Sequence, residues 1–303
     1  MGGTAAGHEP ESAEKKSAHP AVVGHARRPL PIFPTMTDLA LSLRGVTKRF
    51  GDHVAVRDLD LDVPRGTICG LLGSNGSGKT TSIRMILGIY VPDAGSVELL
   101  GGAPDHEHRR RVGYLPEERG MYRKMKVVDH LAFIGEIRGV RPAEGRRRAG
   151  QWLERLGLSE WGDRKVEDLS KGMQQKVQFA ATVLHEPDLL ILDEPFSGLD
   201  PINQDVLEAI VREMNAAGTT ILFSTHLMDQ AERLCRRVCL ISRSEKVLDG
   251  DLREIRQAED RGDVVVEFEG DAGWLDSPGI ESAERLEEGW HLTLEPETPP
   301  RVV

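Results

Sequence analysis

The feature that most restricts what this 303-residue chain can fold into is an octapeptide, Gly73-Ser74-Asn75-Gly76-Ser77-Gly78-Lys79-Thr80, which fits the pattern G-x-x-x-x-G-K-[ST]. Ahead of it runs Thr67-Ile68-Cys69-Gly70-Leu71-Leu72, the apolar text of a buried strand. Past it, Ile83, Ile86, Leu87 and Tyr90 recur at helical spacing and predict a helix ending near Val91-Pro92. Strand, glycine-rich loop and helix in that order make a phosphate cradle. The glycines let consecutive backbone N–H groups turn inward, and the helix N-terminus adds roughly half a positive charge. In such a cradle Lys79 reaches the β and γ phosphates of a nucleotide and Thr80 presents its hydroxyl to Mg2+, with Thr81 completing the nucleotide-binding stretch.

The rest of the chain is compatible with a large sheet around that strand. From Leu39 to Asp249 short apolar runs alternate with helical periods, the βαβ rhythm of a mostly parallel sheet covered by helices. Residues 1–37, rich in Ala, Gly, Pro, Glu and Lys, read as a flexible extension, and Met36, just ahead of the alternating Leu39, Leu41 and Leu43, is a second candidate start. Residues 251–303 carry 15 acidic and 5 basic side chains, and so account for the whole net charge of −10. The stretch 38–250 is therefore free to host a local anion site, and the acidic end reads as a small accessory lobe with strands at Val264–Phe268 and His291–Leu294.

At 39% hydrophobic and 29% charged the chain can bury a sizeable core, which excludes wholesale disorder. No run approaches the roughly 18 to 20 apolar residues that cross a bilayer, and no apolar signal core opens the chain. The expectation is a chain that neither spans a membrane nor is exported. Cys69, Cys235 and Cys239 are odd in number and lack the close pairs of a zinc site, so they read as reduced core thiols. Arg109-Arg110-Arg111 and Arg146-Arg147-Arg148 lack interleaved aromatics and read as solvated helix faces; no nucleic-acid partner is expected.

A second chemical constellation lies at Leu189-Leu190-Ile191-Leu192-Asp193-Glu194, four apolar residues ending in two acids. The pair falls at the carboxyl edge of a buried strand, where ligands sit in such sheets. Asp193 suits the Mg2+ shell, and Glu194 is free to orient or deprotonate an attacking water. Three further segments separate this chain from a generic phosphate-loop protein. Leu169-Ser170-Lys171-Gly172-Met173-Gln174 opens a helix carrying Val177, Ala180, Ala181 and Leu184 on one face. Ser197-Gly198-Leu199-Asp200 follows the acids, and His226 follows the strand-like Thr220–Ser224.

With these motifs in this order, from about Leu39 to Gly250, the chain resembles the ATP-binding subunits of ABC transporters. The resemblance implies an α/β P-loop ATPase core with a helical subdomain at about residues 115–185, binding ATP and Mg2+ and hydrolysing ATP. It implies that Phe50 stacks on adenine, and that Ser170 and Gly172 bind the γ phosphate held by the opposite subunit. Asp200 then belongs to the loop joining the two sites, and His226 contacts the γ phosphate beside the base Glu194. Two departures stand out. Lys171 and Met173 replace the commoner Gly and Gln around a retained Ser170 and Gly172, and Glu117 stands where many relatives have a Gln that contacts the metal. Glu117 also offers an oxygen to nucleotide and Mg2+, so the exchange is expected to alter hydrolysis coupling more than ATP affinity.

The text around Glu117, Met121-Tyr122 and Lys124-Met125 is similar to exporter subunits of the sodium-efflux and daunorubicin-resistance kind. That likeness implies separate membrane-spanning permease subunits as partners, a second copy or a paralogous ATPase subunit as the dimer mate, and a cytoplasmic place on the inner face of the membrane. The competing reading is a soluble ATPase of the same type acting on nucleic acid or a protein assembly. The long coiled coil or duplicated domain of such proteins does not occur, and neither does the Asn-Lys-x-Asp text of a GTPase.

Overall fold

The computed structural model describes residues 39–118, 120–259, 263–266, 273–276, 278, 280–286 and 289–294; the proposed extension 1–37 lies outside the described residues. The chain opens with the antiparallel hairpin β1 (Leu39–Phe50) and β2 (His53–Pro64), turned at Gly51 with φ 58°. It then runs through β3 (Ile68–Leu72) and α1 (Lys79–Ile86) to β4 (Ala94–Leu99), which pairs with the other edge of β1. The short α2 (His106–Arg110) leads to β5 (Val112–Leu115), followed by three helices, α3 (Val127–Ile137), α4 (Pro142–Arg155) and α5 (Lys171–Val183). Strand and helix then alternate as β6 (Leu189–Asp193), α6 (Pro201–Ala216), β7 (Thr220–Thr225), α7 (Met228–Leu234) and β8 (Arg237–Ser242), with β9 (Glu245–Asp251) and α8 (Leu252–Glu259) after them. The last elements are β10 (Asp263–Val266), β11 (Ile280–Arg285) and β12 (Trp290–Leu294).

The central sheet has the order β5-β6-β7-β3-β8-β9, parallel except for β9. Its inner strands β3 and β6 read as continuous apolar runs because both faces are covered, as parallel sheets require. On β3, Ile68 and Leu72 face a core shared with α3, α4, α5 and α6, whereas Cys69 and Leu71 face a second core made with β1, β2 and α1. The same alternation sends Leu190 and Leu192 of β6 to the first core and Leu189 and Ile191 to the second. Strands packed this way leave their carboxyl ends, with the loops that follow β3, β6 and β7, as one continuous edge.

The helix after the glycine loop is shorter than its periodicity predicts. It stops at Ile86 because Gly88 takes a left-handed conformation, φ 64°, and the Ile89 N–H turns back to the Arg84 carbonyl at 2.8 Å. Tyr90 therefore leaves the helix and packs edge-on against Phe50, ring centroids 5.4 Å apart. The three cysteines are free and buried as expected, with the Cys235 and Cys239 thiols pushed up to about 12 by burial. Arg146, Arg147 and Arg148 pair with Asp129 and Glu144 on the helix surface. At the acidic end, β10-β12-β11 form a separate antiparallel sheet. The expected strands are found as Asp263–Val266 and Trp290–Leu294, β11 is additional, and Phe268 lies outside the described residues.

Candidate nucleotide-binding and catalytic site

A cavity of about 330 Å³ opens at the carboxyl edge of β3 and β6, lined by Phe50, His53, Ala55, Asn75, Gly76, Gly78, Lys79, Thr80, Thr81, Glu117 and Glu194. The loop that floors it admits only glycine at its two ends. A Cβ on Gly73, φ 154°, would collide with the Ile241 carbonyl and Ser77, and one on Gly78, φ 115°, would lie 2.5 Å from the Ala55 carbonyl oxygen. Lys79 is held inside, 6% exposed, its Nζ donating to the carbonyls of Gly73 at 2.7 Å and Ser74 at 3.3 Å. Ser77 Oγ is buried in the same loop without a hydrogen-bond partner.

The two acids that close β6 have different surroundings. Asp193 is buried; Oδ1 accepts from Ser224 Oγ at 2.5 Å, Thr80 also bonds to the carboxylate, and Oδ2 has no hydrogen-bond partner. Burial raises its pKa, and the bonds from Ser224 and Thr80 offset part of the rise. A desolvated carboxylate with a free oxygen beside a threonine hydroxyl fits Mg2+, which takes few protein ligands and completes its shell with phosphate and water. Among the described residues no three His, Cys, Asp or Glu side chains converge as a protein-only metal cage. Glu194 turns away from the strand with φ 49°, a strained backbone for a non-glycine residue, held by its N–H donating to the Ser224 carbonyl at 3.2 Å. Its Oε1 lies 2.9 Å from His226 Nδ1 and 3.7 Å from Lys79 Nζ.

The structure thus brings Phe50, residues of the loop 73–81, Glu117, Asp193, Glu194 and His226 to one edge of the sheet. It does not bring Ser170, Gly172 or Asp200 into the cavity. Ser170 is the exposed N-cap of α5, its Oγ accepting from the Met173 N–H at 3.3 Å, with Gly172 in the first turn. Asp200 caps α6, accepting from the Asn203 N–H at 3.0 Å, and these bonds hold its carboxyl below the usual range. Sequence reasoning passed over His53 and Ala55 in the wall and Ser224 beneath Asp193. The hydroxyl of Ser224 directly ahead of Thr225-His226 was the available signal for the last.

A family model described as ABC transporter matches residues 56–197. An uncharacterized ABC transporter ATP-binding protein of Bacillus subtilis, YhaQ, is 45% identical over 237 residues, covering 78% of this chain and 80% of that protein. The chain belongs to the ABC transporter ATP-binding family. The Nod factor export ATP-binding protein I of Cupriavidus metallidurans is 39% identical over 230 residues, covering 74% of this chain and 75% of its own length. A solved structure of an ATP binding subunit of an ABC transporter superposes with a TM-score of 0.68 at 32% identity, covering 73% of this chain and 93% of that one. Membership in this family of ATPases implies ATP hydrolysis. No helix among the described residues is long and apolar enough to cross a membrane.

Proposed function

We propose that this ABC protein is the ATP-hydrolysing subunit of an exporter, working as a dimer on separate membrane-spanning permease subunits. The observation that carries the hydrolytic reading is the Glu194 Oε1–His226 Nδ1 contact of 2.9 Å beside Lys79, at the mouth of the glycine cradle. ATP would lie with adenine against Phe50 and its phosphates along residues 73–81, Lys79 exchanging loop carbonyls for phosphate oxygens. Thr80, Asp193 and Glu117 would hold Mg2+, which supplies charge neutralisation on the phosphates. Glu194 takes the water's proton, and His226 holds Glu194 in place by donating its Nδ1–H to the carboxylate.

Ser170 and Gly172 support the dimer. They form an exposed helix N-terminus with no acid in its first turn, suited to an anion that the same chain does not present to it. ATP between two chains would join the cradle of one to this tip of the other, with Asp200 beside the joint, and hydrolysis would release it. The permease reading is supported by exposed apolar side chains on α3 and just ahead of it: Tyr122 is 51%, Phe133 37% and Ile137 56% exposed, the first two edge-on at 5.4 Å. The Nod factor export relative supports the direction of transport.

The test is Glu194→Gln. It is expected to bind ATP, sediment as a dimer with ATP, and hydrolyse roughly 100- to 10,000-fold more slowly. Near-normal turnover removes Glu194 as the base, and monomers alone at saturating ATP remove the dimer.

A further inference from the structure

His226 is 45% exposed at its side chain, and its Nδ1 contact with Glu194 is made from a short connection between β7 and α7. An exposed imidazole on a connection holds one position only if the backbone on both sides is fixed. On the strand side that is supplied by β7, where Ser224 bonds to Asp193 through its hydroxyl and to the Glu194 N–H through its carbonyl. On the helix side it is supplied by two buried side chains that no nucleotide contact requires. Thr225 is fully buried and Gln230, on α7, is 8% exposed. Thr225 Oγ1 donates to Gln230 Oε1 at 2.9 Å and accepts from the Leu227 N–H at 3.1 Å.

The direction of these bonds matters. A hydroxyl has one proton, and the amide oxygen of Gln230 can only accept it. The lone pairs of Oγ1 are thereby aimed at the Leu227 N–H, so the turn that carries His226 is closed by Thr225 and oriented by Gln230. We propose that Thr225 and Gln230 are positioning residues for His226, setting the height at which its Nδ1 meets Glu194. The proposal rests on the catalytic reading of the Glu194–His226 pair.

The test is steady-state ATP hydrolysis by the full chain, with His226→Ala as reference. Thr225→Val removes the hydroxyl at constant shape, Gln230→Leu removes its acceptor, and Thr225→Ser keeps the hydroxyl. Thr225→Val and Gln230→Leu are expected to lower kcat roughly 10- to 100-fold, the scale of a misplaced catalytic group, with the KM for ATP unchanged. Thr225→Ser is expected to retain most of kcat. Gln230→Met gives the same readout if Gln230→Leu does not fold. If the folded Thr225→Val and Gln230 variants keep kcat within about twofold of wild type while His226→Ala loses it, the positioning assignment is overturned and the catalytic reading stands. A fall in Thr225→Ser equal to that in Thr225→Val also overturns it. If His226→Ala itself hydrolyses ATP normally, the catalytic reading fails first.

Discussion

The two regions of this ABC protein to which the proposal above gives phosphate are built to opposite specifications. The cradle after β3 is enclosed: Lys79 is 6% exposed, Asp193 1% and Glu194 8%, and a backbone strain at Glu194 is held by β7. The tip of α5 is open: Ser170 is exposed, and its hydroxyl is engaged only in capping its own helix. Enclosure costs stability, since buried charges and left-handed non-glycine backbone persist only where the surroundings impose them. The open tip carries no such cost. In the dimer proposed above, the first region holds the nucleotide within one chain and the second closes over it from the other.

The largest effect should come from the enclosed side. Lys79→Ala removes the buried cation of the cradle and is expected to weaken ATP binding by at least on the order of 100-fold, the usual consequence of truncating a buried charged partner. Calorimetric titration of the variant with ATP measures it. Unchanged affinity would mean that the cradle does not hold the phosphates.

The open side should fail differently. Ser170→Arg crowds an exposed cap, so ATP affinity of the single chain is expected to remain near wild type while hydrolysis falls roughly 100-fold. The sharper form mixes this variant with Lys79→Ala. Neither homodimer has a working site, whereas a mixed dimer joins an intact cradle from one chain to an intact tip from the other. A random mixture should recover about one quarter of wild-type turnover. No recovery on mixing would return both regions to a single chain and end the contrast.

How much of this contrast was legible in the sequence depends on range. The strand, loop and helix around Gly73–Thr80 and the acids closing Leu189–Glu194 declare themselves because their chemistry is local. Asp200 ahead of Pro201 is likewise a cap that a few residues specify. The positive φ at Glu194, the Ser224–Asp193 bond and the Thr225–Gln230 bond were not legible, because each depends on which strand lies beside which. The early end of α1 at Ile86 was missed for a smaller reason: apolar spacing continued to Tyr90 while Gly88 had already closed the helix.

A third difference concerns acid. Beyond the end of α5, burial and the nearby Arg138 and Arg148 charges push the His185 pKa down to about 4, and burial lowers that of His130 on α3 in the same direction. A histidine kept neutral in the fold stabilises it fully above its unfolded pKa of about 6.5, and that contribution is lost as pH falls toward the folded value. From pH 7 to pH 5 His185 alone should cost about 2 kcal/mol of stability. Urea midpoints at the two pH values measure the loss, and His185→Gln should reduce it. An equally acid-sensitive His185→Gln would remove His185 as the source.

The smallest effect separates binding from stability within the enclosed site itself. Burial raises the folded pKa of Asp193 above its unfolded value, so as pH rises the unfolded chain releases its proton first and the ionised carboxylate opposes folding at neutral pH. Asn keeps an oxygen for the Ser224 hydroxyl and cannot ionise. Asp193→Asn is therefore expected to raise Tm by a few degrees, about 2–4 °C for each 1 kcal/mol recovered, while abolishing Mg2+-dependent hydrolysis. The corresponding change at the exposed end, Asp200→Asn, relieves no burial; it should leave Tm unchanged or slightly lower, because the carboxylate there is stabilised by the Asn203 N–H rather than desolvated. If both variants shift Tm in the same direction by similar amounts, enclosure is not what distinguishes the two regions, since a desolvated acid and a solvated cap cannot respond alike to loss of charge.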